Sequence, residues 1–114
     1  MSRRATGLRA WILQRITALY LALYTLFLIG LFLLDPPESY DAWRTWFATP
    51  WTSVPLLLYA LAILLHAWVG IRDVLIDYVH PLMLRLLLLT LFGLGLIGSG
   101  LWVMRVVFLA SVMN

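Results

Sequence analysis

The segment LLHAWVGIRDVLIDYVHP, Leu64 to Pro81, holds the side chains best suited to chemistry in an otherwise apolar sequence. His66 lies within a run of aliphatic residues, and Asp77 and Tyr78 follow near the end of the segment. Neutral imidazole binds transition metals well and is a common axial ligand of haem iron. A tyrosine hydroxyl donates hydrogen bonds, and a carboxylate accepts them or carries protons. The segment therefore offers a metal ligand and a separate polar site.

Helical spacing places His66 on one face with residues that are polar or small. The members of this stripe are three or four positions apart: Tyr59, Ala62, His66, Gly70, Asp73 and Asp77. A one-sided polar stripe on a membrane helix faces protein or cofactor and not lipid. Two roles fit His66: a hydrogen bond to a neighbouring helix, or a ligand with Gly70 leaving room for a flat macrocycle. Because His80 lies in a connection, a bis-histidine haem needs its second ligand from another subunit.

Asp77 and Tyr78 lie about 16 Å or more beyond His66 along a helix axis, just before Pro81, which should end the helix. An interfacial tyrosine beside a solvated aspartate is the usual explanation of such a pair. The alternative is a quinone site, in which Tyr78 donates to a quinone carbonyl and Asp77 orients the hydroxyl or delivers protons. Arg15, near the start of the first apolar run, is either a topology anchor or a counter-charge for an anionic group such as a haem propionate.

The elements that must position these residues are membrane-spanning helices. The 114 residues are 64% hydrophobic and 11% charged, whereas a soluble domain carries about 25% charged residues. Three apolar runs predict transmembrane helices at about 16–34, 54–74 and 84–106. We therefore expect an all-α integral membrane protein in which residues 1–114 form a single domain in the lipid bilayer.

The basic residues determine the expected topology. All eight are arginines that flank the apolar runs without forming a patch, so the pattern favours membrane insertion and not nucleic-acid binding. The absence of cysteine excludes disulfides and thiolate metal sites. Six arginines precede the first run or flank the second connection, and two lie on the opposite side: 3, 4, 9, 15, 72 and 85, against 44 and 105. This predicts a cytoplasmic N-terminus and a periplasmic C-terminus.

The first connection and the third run carry secondary packing signals. In DPPESYDAWRTWFATPWT, the aromatic residues after Ser39 fit a short interfacial helix capped by that serine, or equally an irregular loop with interfacial tryptophans. In the third run, Gly95 and Ser99 form a small-xxx-small pair that we expect to pack closely against another helix. The GxGxxG pattern at 93–98 lies within a membrane span, where it does not indicate a dinucleotide site.

Taken together, the chain resembles the small hydrophobic membrane-anchor subunits of bacterial succinate dehydrogenase, respiratory complex II. The resemblance covers essentially the whole chain and is sharpest in HAWVGIRDVLIDYVHP, with a weaker match in WILQRITALYLALY. It implies one haem b, shared with a sister cytochrome b subunit. It further implies that His66 is an axial ligand, that Tyr78 binds ubiquinone beside Asp77, and that Arg15 lies near the haem propionates.

The resemblance also implies partners and a location. FAD and the iron–sulfur clusters would belong to a flavoprotein subunit and an iron–sulfur subunit, so the chain alone would catalyse nothing. It would be a multi-pass anchor in the bacterial inner membrane, surrounded by lipid and with no nucleic-acid partner. Two alternatives remain: a fumarate reductase anchor running the reverse reaction, and a structural or holin-like three-span protein without a cofactor.

Overall fold

The computed structural model describes residues 3–112 and the side chains of residues 7–112, and this part of the chain forms four α-helices. Their bounds are α1 Arg3–Leu34, α2 Tyr40–Ala48, α3 Pro50–Tyr78 and α4 Leu82–Val112. Helices α1, α3 and α4 are long and apolar enough to cross a membrane. The predicted all-α membrane fold is therefore confirmed, and each predicted span lies inside one longer helix.

Helix α3 is the centre of the arrangement. It contacts α1 on one side and α4 on the other, and the described parts of α1 and α4 do not contact each other. The molecule measures 49 × 26 × 26 Å, so its long axis exceeds the hydrocarbon core of a bilayer, about 30 Å. The helix ends therefore extend past the hydrocarbon. Large apolar side chains cover the outside, as Leu33 and Leu94 show at 78% and 63% exposure, a surface suited to lipid or to other subunits.

Hydrogen bonds and aromatic contacts join α1 to α3. The Tyr20 hydroxyl donates to the Pro55 carbonyl at 2.6 Å, and Thr25 Oγ1 lies 2.8 Å from the Tyr59 hydroxyl. The side chain of Tyr24 is also buried, and the centroid of its ring lies 4.7 Å from that of Tyr59. Because lipid tails are as apolar as the helices, such polar contacts and close packing replace the hydrophobic effect in holding membrane helices together. We call this contact, between residues 13–25 and residues 55–70, the α1–α3 seam.

Glycines bring α4 close to α3. A Cβ built on Gly100 would lie 2.6 Å from Leu64 Cδ1, and one on Gly93 would lie 3.4 Å from Trp68 Cζ3. These two glycines are two helical turns apart, on the same face of α4. Small residues at this spacing allow the side chains of α3 to lie directly against the backbone of α4.

The expectation that Gly95 and Ser99 pack against another helix is wrong within this chain. Both residues are exposed, and nothing lies within 4 Å of a Cβ built on Gly95. The Ser99 hydroxyl donates to the Gly95 carbonyl of its own helix at 2.8 Å. The reason is rotation: positions two apart on a helix differ by roughly 200°, so when Gly93 faces α3, Gly95 faces outward.

The first connection is helical, which decides between the two structures that its sequence allowed. Ser39 is the N-cap of α2, and its Oγ accepts a hydrogen bond from the Ala42 amide at 3.1 Å. Helix α2 contacts α3 and α4, and its Trp43 ring lies 5.6 Å from the ring of Phe32 at the end of α1. It therefore ties the three long helices together at one end of the molecule.

A short connection, residues 79–81, joins α3 to α4 at the opposite end. Helix α3 ends at Tyr78, where the Val79 amide donates to the Leu75 carbonyl at 3.0 Å. The Pro81 carbonyl accepts from the Arg85 amide at 3.0 Å and so begins α4. Proline ends one helix here, as predicted, and immediately starts the next.

The α3–α4 contact predicts that two neighbouring glycines respond differently to the same substitution. We expect Gly100→Val to lower the free energy of unfolding by about 1–3 kcal/mol, because the added atoms overlap Leu64. Gly98→Val, with nothing within 4 Å, should change it by less than about 0.5 kcal/mol. Reversible unfolding of the full chain in mixed detergent micelles, followed by circular dichroism, measures both. Equal losses in the two variants would contradict this packing.

Candidate functional site

The polar stripe of α3 faces α1 over most of its length. Four of its members lie at or beside the α1–α3 seam: Tyr59, Ala62, His66 and Gly70. The other two, Asp73 and Asp77, lie beyond the seam and are exposed. The sequence predicted that the stripe faces protein or cofactor and not lipid. At these four positions it faces protein, namely helix α1.

His66 is held by a threonine of α1. Thr17 is buried, at 5% exposure, and its Oγ1 lies 3.1 Å from His66 Nδ1. The same Oγ1 lies 2.7 Å from the Leu13 carbonyl and 3.2 Å from the Gln14 carbonyl. Carbonyl oxygens only accept hydrogen bonds, so the single hydroxyl proton of Thr17 goes to its own helix. With that proton on its own helix, Thr17 Oγ1 presents a lone pair to His66 Nδ1 and suits the tautomer that carries its proton there.

This hydrogen-bond pattern favours one tautomer of His66. A neutral imidazole that carries its proton on Nδ1 has its lone pair on Nε2. Among residues 7–112, the hydrogen bond of His66 is made by Nδ1, which leaves Nε2 available to a ligand. The two roles that the sequence allowed are thus compatible, because one ring nitrogen bonds the neighbouring helix and the other stays free to bind a metal.

Gly70 lies one turn beyond His66 and faces the side chain of Gln14. A Cβ built on Gly70 would be 3.8 Å from Gln14 Nε2, so on this side an amide occupies the space that the sequence suggested for a macrocycle. Gln14 Oε1 is buried and has no hydrogen-bond partner within the described part of the chain. A buried unpaired amide oxygen costs roughly 1–3 kcal/mol, so this atom is suited to meet a donor from outside the chain.

The structure does not bring Arg15 to His66. The Arg15 guanidinium is exposed and lies 5.4 Å from the centroid of the Trp11 ring. Since Thr17 and Gln14 face α3, Arg15 is directed largely away from it, about 100° round the helix from Gln14. Arg15 would therefore meet only a group that lies along the outer side of α1, and its role at a haem propionate stays a prediction.

Asp77 and Tyr78 form the end of α3. Both are exposed, Tyr78 at 77%, and they make no hydrogen bond to each other. Tyr78 lies twelve positions after His66, roughly 18 Å along the helix axis. The structure therefore separates the predicted site residues into a half-buried imidazole within the membrane span and a tyrosine hydroxyl open to ligand at the helix end. His80, in the connection, is also exposed.

Two residues that bear on the site were not anticipated from the sequence, Gln14 and Thr17. They lie three positions apart on α1, and Tyr24 and Thr25 follow on the same side of the helix. Spacing of three or four positions identified the polar stripe of α3, and the same criterion would have identified this second stripe on α1. The pairing of the two stripes, with Thr17 opposite His66, required the structure.

Comparison with known proteins agrees with this arrangement. Residues 1–98 match the family described as succinate dehydrogenase/fumarate reductase transmembrane subunit. The chain is 38% identical over 109 residues to the succinate dehydrogenase hydrophobic membrane anchor subunit of Coxiella burnetii, which covers 96% of this chain and 93% of that protein. It is 33% identical over 81 residues to the subunit of the same name from Rickettsia conorii, covering 70% of this chain and 64% of that one.

Three helices that can cross a membrane and a family match over most of the sequence lead to the same conclusion. The predicted resemblance is confirmed: the chain belongs to the family of succinate dehydrogenase/fumarate reductase transmembrane subunits.

Proposed function

We propose that the chain is the membrane-anchor subunit of a succinate:ubiquinone oxidoreductase in the bacterial inner membrane. In this role it ties a flavoprotein subunit and an iron–sulfur subunit to the membrane, shares one haem b with a sister cytochrome b subunit, and forms part of the ubiquinone-reduction site. The family match supports the anchoring role. The observation that carries the cofactor proposal is the imidazole of His66, with Nδ1 bonded to Thr17 and Nε2 free.

His66 fits a haem better than a metal ion held by protein alone. Among the described residues, no three histidine, cysteine, aspartate or glutamate side chains come together to hold a metal. A haem iron takes four nitrogen ligands from its own macrocycle, so a single imidazole from this chain is enough on one side. The opposite ligand would come from the sister subunit, and Arg15 would pair with a propionate on the outer side of α1. When bound, the haem supplies a one-electron carrier inside the membrane.

Removing the imidazole tests the haem proposal. We expect His66→Ala to abolish the b-type signal in the reduced-minus-oxidised spectrum of the purified complex, because the axial nitrogen is lost. His80→Ala is the matched control, since His80 is exposed in the α3–α4 connection, and it should leave the spectrum unchanged. A wild-type complex without b-type haem, or a His66→Ala complex that keeps it unaltered, refutes the axial-ligand role.

Tyr78 and Asp77 would form the chain's contribution to the ubiquinone site. The exposed Tyr78 hydroxyl donates a hydrogen bond to a quinone carbonyl, and this bond strengthens as negative charge develops on that oxygen during reduction. Asp77, one residue before it, orients the hydroxyl or delivers a proton. Their place at the end of α3, beyond the hydrocarbon-spanning part, suits a headgroup that enters from lipid and meets a subunit docked on the membrane surface.

A tyrosine substitution tests the quinone role. We expect Tyr78→Phe to lower succinate–ubiquinone reductase activity roughly tenfold or more, since a hydrogen bond to a charged group contributes about 1.5–3 kcal/mol. Succinate oxidation with an artificial acceptor should stay at the wild-type rate. Tyr40→Phe, an equally exposed tyrosine at the other end of the molecule, is the control and should affect neither rate. Unchanged ubiquinone reduction in Tyr78→Phe would remove this residue from the site.

The fold also supports a proposed orientation. Antiparallel packing brings the start of α1, the end of α3 and the start of α4 to one end of the molecule. That end carries most of the arginines, including Arg9, Arg72 and Arg85, whereas the α2 end carries Arg44 and three acidic residues. By the positive-inside rule the arginine-rich end faces the cytoplasm. Tyr78 would then lie on the side where the soluble subunits dock.

The chain has no cysteine, so single cysteines report the orientation without background. We expect Ser39→Cys to react with a membrane-impermeant maleimide added to intact spheroplasts, because the start of α2 would face the periplasm. His80→Cys should react only after the membrane is permeabilised. The opposite pattern of labelling would show that the chain is inserted the other way round.

The second candidate is an anchor of fumarate reductase, which the matched family also includes. The direction of the reaction is set by the potentials of the cofactors and the quinone, and not by residue type. Comparing the rates of succinate oxidation and fumarate reduction by the purified complex with one quinone distinguishes the two. A structural or holin-like protein would bind no haem and would tolerate His66→Ala, so the haem experiment also tests that alternative.

A further inference from the structure

We infer that Thr17 is a positioning residue for His66, which fixes the tautomer and orientation of the imidazole and strengthens Nε2 as a metal ligand. This role rests on the proposed haem function and extends it to α1, the helix opposite the ligand. In this role Thr17 is not itself a ligand and acts through the histidine.

The hydrogen bonds of Thr17 favour one tautomer of His66. Thr17 Oγ1 donates to the Leu13 carbonyl at 2.7 Å and so presents only lone pairs to His66 Nδ1 at 3.1 Å. If the proton were on Nε2, then Nδ1 and Oγ1 would both be acceptors unless Thr17 gave up its bond to its own helix. The Nδ1–H tautomer gives a hydrogen-bond partner to the Leu13 carbonyl, the Thr17 hydroxyl and His66 Nδ1 alike, and it is therefore favoured.

The burial of Thr17 supports this assignment. Thr17 is 5% exposed and lines an apolar groove of about 300 Å³ whose other walls include Leu61 and Leu65. Water has little access to the Thr17 hydroxyl in such surroundings, so a lost hydrogen bond at its Oγ1 would be costly. The ring is held at two points, its own Cβ and Nδ1, and its plane is consequently set by how α1 docks on α3.

The chain of hydrogen bonds also affects the strength of the ligand. Imidazoles that bind metals commonly donate their other N–H to an acceptor, which orients the ring and raises its basicity. Here the acceptor hydroxyl is itself polarised by donating to a carbonyl, which reinforces the effect. A stronger donor at Nε2 favours ferric over ferrous iron. Loss of the Thr17 hydroxyl should therefore raise the midpoint potential of the haem.

The test compares three variants of the assembled complex. Thr17→Val removes the hydroxyl at nearly constant shape, and Thr17→Ser keeps it. Thr25→Val is the matched control, because it removes another threonine hydroxyl that bonds across the same seam, to Tyr59. We expect Thr17→Val to weaken haem retention roughly tenfold or more, to raise the midpoint potential, and to alter the electron paramagnetic resonance of the ferric haem. Thr17→Ser and Thr25→Val should match the wild type in all three measurements.

The possible outcomes separate this role from the proposed function. Loss of haem in His66→Ala with wild-type potential and resonance in Thr17→Val refutes the positioning role alone. Equal shifts in Thr17→Val and Thr25→Val also refute it, because they would reflect a loosened seam. Haem that persists unaltered in His66→Ala refutes the haem function and the role of Thr17 with it. If Thr17→Val fails to assemble, Thr17→Ala replaces it in the same comparison, and a Thr17→Ala complex with the wild-type potential refutes the role.

Discussion

The arrangement of this protein depends on one constraint: inside a bilayer, a polar side chain must find its partner within the protein. Water is absent from the hydrocarbon, so an unpaired hydroxyl or imidazole there is costly. Two pairs of polar groups from α1 and α3 meet this requirement across their seam: Thr17 pairs with His66, and Thr25 pairs with Tyr59. These pairs fix the register of the two helices, because a shift of either helix would break both together.

Helix α4 is attached by a different principle. Its contact with α3 depends on the absence of side chains at Gly93 and Gly100, which lets Trp68 and Leu64 lie against the backbone of α4. Dispersion then takes the place of hydrogen bonding. Helix α3 consequently has a polar face towards α1 and an apolar face towards α4. A histidine with a defined hydrogen-bond partner is possible only on the first of these faces.

The two proposed sites have opposite physical requirements, and the length of α3 lets one helix serve both. A metal ligand works best when its orientation is fixed, as that of His66 is by Thr17. A quinone must enter and leave, so its hydrogen-bond donor has to be accessible, as the exposed hydroxyl of Tyr78 is. They lie twelve positions apart, and this roughly 18 Å of helix separates the membrane interior from its surface.

The sequence by itself determined the features that depend on local patterns. Hydropathy located the three spans, and periodicity placed His66 on a polar face. These succeed because each depends on residues within a few turns of one another. Only the tertiary structure decided that Gly93 and Gly100 pack where Gly95 and Ser99 were expected, because rotation of α4 is set by contacts with α3. The partner of His66 likewise lies 49 positions away in the chain, and no local pattern determines which hydroxyl of α1 it meets.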